Sequence, residues 1–398
     1  MKPRLRWTFV LGILAAMIGV AVFASLPVEP YLDFQVIYHA GMGLLRGIPL
    51  YDHAGQVDMI AELAGVPPEQ VFVLPFPYPP WYALLALPLV VLPIDAAARL
   101  WLELNLAVLL LSVWLLTDGW NPRVRLAAFP IALSFAPVLG GLLVGQYGFP
   151  VLLGLSLSAY ALRRERPLLL ACAAALLTFK PHLGLPAATV LLLHLWLRRL
   201  KAFPRRALGW TGLVALALFG LGFLADPAWP LDYFRSLAGY GANAGVLSCD
   251  LCASLPVELV GWFGGTGLLG ALRVAAGLAL AILGLLAWKR RTGWSSPGWL
   301  VSGMVCVTLL ASPYLLNYDY LLLLVPIAFL AGRARAWQDW LWIGLAFYLP
   351  WLGLGVFGRA GNNALVLATL LVAGALWLPE PGLAGSRNPA SDRAQPGH

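Results

Sequence analysis

A few polar groups stand out from an otherwise apolar chain: Asp33 in LDFQVIYHAG, Tyr78 in the YPP of 78–80, Gln146 in the GQYG of 145–148, Lys180 and His182 in FKPH, and Asn317 and Asp319 in SPYLLNYD. Leu32 and Phe34 flank Asp33 and hold it at an apolar surface, where a carboxylate would serve as general base toward a hydroxyl. The same residue reads as the cap of a short interfacial helix over 34–45. Lys180 follows a short apolar run. Beside a phosphate its charge would be worth about 4 kcal/mol at ~4 Å and an effective dielectric near 20; the alternative is a lysine snorkelling to the interface. Pro181 is expected to break the helix between Lys180 and His182. GQYG reads as a tight turn, although the Gln146 amide offers a sugar both donor and acceptor. Pro313 should end a helix, with Asn317 and Asp319 following where a cap would sit. Cys249 and Cys252 fit a disulfide and two free thiols equally well. No metal-ligand spacing and no GxGxxG, Walker or GxSxG signature appears, so neither a metal nor a cofactor is expected.

The elements that must position these residues follow from composition. In 398 residues the chain is 61% hydrophobic and 11% charged, with mean hydropathy +0.81. Soluble domains carry about a quarter charged residues, so this composition describes a membrane protein. It excludes a nucleic-acid-binding module despite a net charge of +8. At about 20 residues per crossing there is room for roughly twelve spans. Long apolar runs near 7–26, 99–117, 126–143, 148–162, 207–225, 267–288, 298–311, 319–331, 338–357 and 363–378 supply most of them, and shorter ones near 168–178 and 185–197 complete the set.

A third short run, 81–93, is interrupted by Pro88 and Pro93 and is expected to lie in the interface. With that assignment the basic clusters at 2–6, 123–125, 163–166, 198–206, 289–291, 333–335 and 387–393 fall on one side, leaving Arg46, Arg99, Lys180, Arg235, Arg273 and Arg359 elsewhere. Positive loops mark the cytoplasmic side. Both termini are then inside, and residues 1–378 form one polytopic domain with outer loops at 27–98 and 226–266. The polar tail 379–398 reads as disordered and cytoplasmic, and the first run as an uncleaved anchor. All five polar motifs land on the outer face. Polar groups near the hydrocarbon edge usually mark a site.

These motifs, in this order from about residue 31 to 331, resemble those of glycosyltransferase family 87. The resemblance rests on DF with Tyr38, Gly47, Leu50 and Tyr51, then FPYPP (76–80), GQYG, FKPHLGL and SPYLLNYDYLLLL. It implies an all-α integral membrane protein of the C-type glycosyltransferase fold, with juxtamembrane helices in the first outer loop. The expected activity is transfer of a hexose, mannose favoured, from a polyprenyl-phosphate sugar to a lipid or glycan acceptor on the outer face of the plasma or inner membrane. Asp33 matches the family's acidic residue after the first span, taken there as catalytic base, and Lys180 matches the lysine of the FKP motif. Where some members carry a histidine pair after the SP motif, this chain has Asn317-Tyr318-Asp319; His182 stands where many relatives have glutamine. Lys180, with His182 or Arg46, is expected at the donor phosphate, and Tyr78, Gln146, Asn317 and Asp319 at the substrates. Membrane lipid is the expected surrounding and nucleic acid is not a partner. The competing class is a transporter or flippase of a lipid-linked sugar, but such carriers place polar residues near the midplane, whereas here they gather at one face.

Overall fold

The computed structural model describes residues 32–243, 253–262, 268–291, 296–355 and 359–377. The expected first span, Cys249, Cys252 and the tail lie outside these residues. Every regular element described is helical: α1 (Leu32–Leu45), α2 (His53–Ala64), α3 (Pro80–Ala86), α4 (Ile94–Leu116), α5 (Pro122–Leu133), α6 (Ala136–Val144), α7 (Gly148–Arg163), α8 (Pro167–Leu177), α9 (Pro181–Leu197), α10 (Ala202–Ala225), α11 (Trp229–Asn243), α12 (Leu255–Trp262), α13 (Leu268–Arg291), α14 (Pro297–Ala311), α15 (Leu324–Ala331), α16 (Trp337–Gly355) and α17 (Arg359–Trp377). Short 3-10 turns at Pro68–Gln70 and Asn317–Leu323 complete the set.

Proline placement sets many boundaries. Pro122, Pro167, Pro181 and Pro297 each open a helix, where the missing N–H is no loss and the fixed φ is already helical. Pro181 therefore starts α9 instead of breaking a helix, which leaves Lys180 as the residue before the helix and puts His182 in its first turn.

Among the described residues, α4 and α10 are long and apolar enough to cross a membrane, and α5 with α6 makes a third crossing if that pair, bent by 59°, is one span. The run expected as continuous over 126–143 is thus broken. At the break the Ser134 hydroxyl donates to the Ile131 carbonyl at 2.8 Å, the local back-bonding that bends helices. Shorter apolar helices, including α7, α8, α9 and α14, occupy other expected spans. Only 11% of the apolar window of α10 is buried by protein, so most of that helix faces outward, with Leu216 and Leu224 strongly exposed. The 81–93 segment holds only the seven-residue α3, about 10 Å of helix against a hydrocarbon core of ~30 Å.

From Leu32 onward, the segment expected as the first outer loop is largely helical. It contains α1, α2 and α3, and α2 carries its own stop and start signals: the Asp52 side chain accepts from Gly55 N at 3.0 Å, and Gly65 caps the C-terminus at φ 67°. Likewise α11 and α12 lie within 226–266. Two cores result. The larger is built from α4 to α9 and α14 to α17. The smaller is aromatic: Phe34, Tyr38, Phe76, Tyr78, Tyr82, Trp101 and Tyr147 pack α1 and α3 against the start of α4. The candidate site forms where the two cores meet.

Candidate functional site

The turn between α6 and α7 organises the site. Gly145 ends α6 at φ 71°, a left-handed conformation that disfavours any side chain, and a Cβ there would come within 2.8 Å of Phe34 Cβ. The glycine therefore both makes the turn and lets it touch α1. Trp101 Nε1 donates to the Gly145 carbonyl at 2.8 Å, and Asn105 Nδ2 reaches the Gln146 carbonyl at 3.4 Å. Anchored in this way, Gln146 projects a buried amide between two elements far apart in sequence.

That amide is fully specified. Gln146 Oε1 accepts from Lys180 Nζ at 2.7 Å and from Tyr147 N at 3.1 Å, while Gln146 Nε2 donates to Asp33 Oδ2. With the oxygen facing a cation and the nitrogen facing a carboxylate, only one orientation satisfies both ends. Tyr147 completes the hold on α1 by donating its hydroxyl to the Asp33 carbonyl.

On the far side, Lys180 Nζ lies 2.5 Å from Asp319 Oδ1 and 4.9 Å from the centre of the Tyr318 ring. Asp319 is fully buried and its other oxygen accepts from Leu316 N at 3.0 Å. It therefore caps the 3-10 turn and pairs with the lysine at once. His182 Nε2 stands 3.7 Å from Asp319 Oδ2, which is ion-pair range but too long for a hydrogen bond; the atom is buried without a hydrogen-bond partner. The His182 ring packs edge-on against Tyr314, with centroids 5.6 Å apart.

The result is a polar row, Asp33–Gln146–Lys180–Asp319, with His182 beside its last member. One ammonium is shared, directly or through an amide, by two carboxylates. Burial pushes the Asp33 carboxyl above its ordinary range; Lys180, Gln146 and Tyr318 pull it down, and Asp319 raises it. A carboxyl so placed is a better proton acceptor than a solvated one near neutral pH.

The structure thus brings together Asp33, Gln146, Lys180, His182 and Asp319. Asp33 lies in the first turn of α1 and its carboxylate is engaged by Gln146. Tyr78 is adjacent as support: its buried ring stacks edge-on to Tyr147 at 4.7 Å. Asn317 is half-buried and, among the described residues, gives no side-chain bond to the row. Arg46 does not join it. It is exposed just past the far end of α1, about 20 Å along the helix from Asp33 at 1.5 Å per residue. Tyr147 and Tyr318 carry site contacts without having been singled out, although both sit in the motifs GQYG and SPYLLNYD. No group of three or more His, Cys, Asp or Glu side chains converges on a common point among the described residues.

The profile of glycosyltransferase family 87 matches residues 76–313, well over half of the chain. The chain belongs to glycosyltransferase family 87. Family membership makes it a glycosyltransferase, acting between a sugar donor and an acceptor, and its apolar helices make it a membrane protein. The family 87 match spans Tyr78, Gln146, Lys180 and His182, whereas Asp33, Arg46, Asn317 and Asp319 lie beyond its ends. No curated protein matches this glycosyltransferase.

Proposed function

We propose that this protein transfers a hexose, mannose in the first instance, from a polyprenyl-phosphate donor to a lipid or glycan acceptor, on the outer face of the cell membrane, with Asp33 as general base. The observation that carries the reading is the Gln146 bridge, which joins a raised carboxyl at Asp33 to the buried cation Lys180. Glycosyl transfer from a lipid phosphate needs a base on one side of the reacting carbon and positive charge on the other.

The acceptor hydroxyl oxygen attacks the anomeric carbon as its proton passes to Asp33, and the bond from that carbon to the phosphate oxygen breaks. The donor is a phosphodiester with one negative charge. The departing lipid phosphate is a monoester approaching two, so cations near it act more strongly as the bond breaks. A single displacement of this kind inverts the anomeric centre. Asp319 already sits 2.5 Å from Lys180, so the lysine offers the phosphate only part of its charge. His182, with a ring nitrogen lacking a hydrogen-bond partner, is the second donor in this reading, and Arg46 drops out of it.

Purified protein incubated in detergent with a panel of polyprenyl-phosphate hexoses and a membrane-lipid acceptor pool should yield a product heavier than one acceptor by one hexose. Reconstituted vesicles that move the lipid-linked sugar across the bilayer without forming such a product would favour a carrier instead.

A further inference from the structure

The opposite end of the bundle holds a polar cavity that the transfer reaction does not use. α9 begins beside Lys180 and runs for 17 residues, about 25 Å. At its far end a cavity of about 300 Å³ opens between the α7–α8 turn, the end of α9, the start of α10 and the start of α14. Its polar lining is Glu165 from the turn, His194 from α9, Arg198 at the C-terminal cap of α9, and Lys201 before α10; the remainder is apolar, including Leu162, Leu195, Phe203 and Leu300. Two permanent cations and a histidine thus face one carboxylate.

Two further observations separate this place from a diffuse basic rim. Glu165 has φ 49°, a left-handed backbone found at no other described residue except glycine. Such strain gathers at ligand sites. In addition, α10 rises from the cavity with most of its apolar surface uncovered by protein, so an acyl chain entering here continues along a face already made for lipid. Trp196, 56% exposed and lying between the lining residues His194 and Arg198 in sequence, fits the aromatic level at which headgroups sit.

We propose that this cavity binds the phosphate headgroup of an anionic phospholipid, with Arg198 and Lys201 on the phosphate and the acyl chain against α10. The chemistry, a phosphate held by two cations, is shared by free phosphate; the apolar half of the lining selects the lipid.

The test uses the full-length protein in neutral detergent, with phosphatidylglycerol, phosphatidylcholine and inorganic phosphate as probes, and retained lipid read by native mass spectrometry alongside thermal unfolding. Phosphatidylglycerol should be retained and stabilising, phosphatidylcholine should not, and inorganic phosphate should fail to displace the lipid. Arg198→Ala/Lys201→Ala should lower retention by roughly tenfold or more, as expected for the loss of two basic contacts to an anionic headgroup. Arg205→Ala/Arg206→Ala removes the same charge outside the cavity and should leave retention unchanged. Equal losses in the two double variants would reduce the site to diffuse surface charge, and displacement by inorganic phosphate would make it a soluble-phosphate site; either overturns the proposal. If the first double variant fails to fold, Glu165→Gln decides alone. It should strengthen phosphatidylglycerol retention, and no change would overturn the proposal.

Discussion

Lys180 is the residue whose removal separates two explanations of the site. With Asp33 as the proposed base, transfer needs its carboxylate, so the rate should fall as pH drops through the Asp33 pKa. Lys180 pulls that pKa down and Asp319 pushes it up, against a background of burial that raises it. Lys180 Nζ reaches Asp33 across the Gln146 amide, by a hydrogen bond at each end, a path of roughly 8 Å from ordinary hydrogen-bond lengths and the width of the amide between them. A unit charge at that distance is worth about 2 kcal/mol at an effective dielectric near 20, before screening. Lys180→Gln should therefore move the acidic limb of kcat/KM upward. Asp319→Asn should move it downward by less. The double variant, which also avoids the ~3–5 kcal/mol penalty of leaving one buried charge unpaired, should return the limb near its starting place. The assay is product formation by mass against pH, at donor concentrations below KM. An acidic limb that stays in place in Lys180→Gln, while donor KM and kcat alone worsen, would refute tuning of Asp33 through the Gln146 bridge and leave Lys180 as a phosphate contact only.

Three further outcomes follow from the geometry. Gln146→Ala should lower turnover by about ten- to a hundredfold by freeing Asp33 from its orienting donor, with donor KM within a few-fold; a purely raised KM would make Gln146 a substrate contact. Gly145→Ala places a side chain at φ 71° against Phe34, and should destabilise by about 2–4 kcal/mol from the left-handed backbone and the overlap together; unfolding in detergent at the wild-type temperature would show that the turn is free to relax. In the expected topology, single cysteines at the exposed positions Glu62 and Arg199 should be labelled from opposite sides of sealed vesicles; labelling from the same side would overturn the orientation.

The helical class and most helix positions were legible because hydropathy and proline act locally: Ile94–Leu116 and Ala202–Ala225 fall on apolar runs readable at a glance. The order inside 27–98 was less visible. α2 is a mixed-polarity helix whose only sequence signals are its caps, Asp52 and Gly65, and these are too common to stand out. For the site, apolar flanks and motif order pointed to Asp33, Lys180 and His182, which do converge. Asp319 and Gln146 each serve two ends, cap and ion pair in one case, turn and bridge in the other. A one-dimensional reading sees only the local half of such a residue. Arg46 went the other way: it is close to Asp33 in sequence, and the continuous α1 carries it to the far end of the helix.

Base-assisted transfer from a lipid-phosphate sugar at Asp33 can be checked by wild type and Asp33→Asn side by side, with product mass and anomeric configuration as the readout and donor binding measured in parallel. The wild type should give an inverted hexosyl product, and Asp33→Asn a turnover lower by about a hundred- to ten-thousandfold, with donor still bound. Turnover of Asp33→Asn within a few-fold of wild type, or retention of the anomeric configuration, would contradict it.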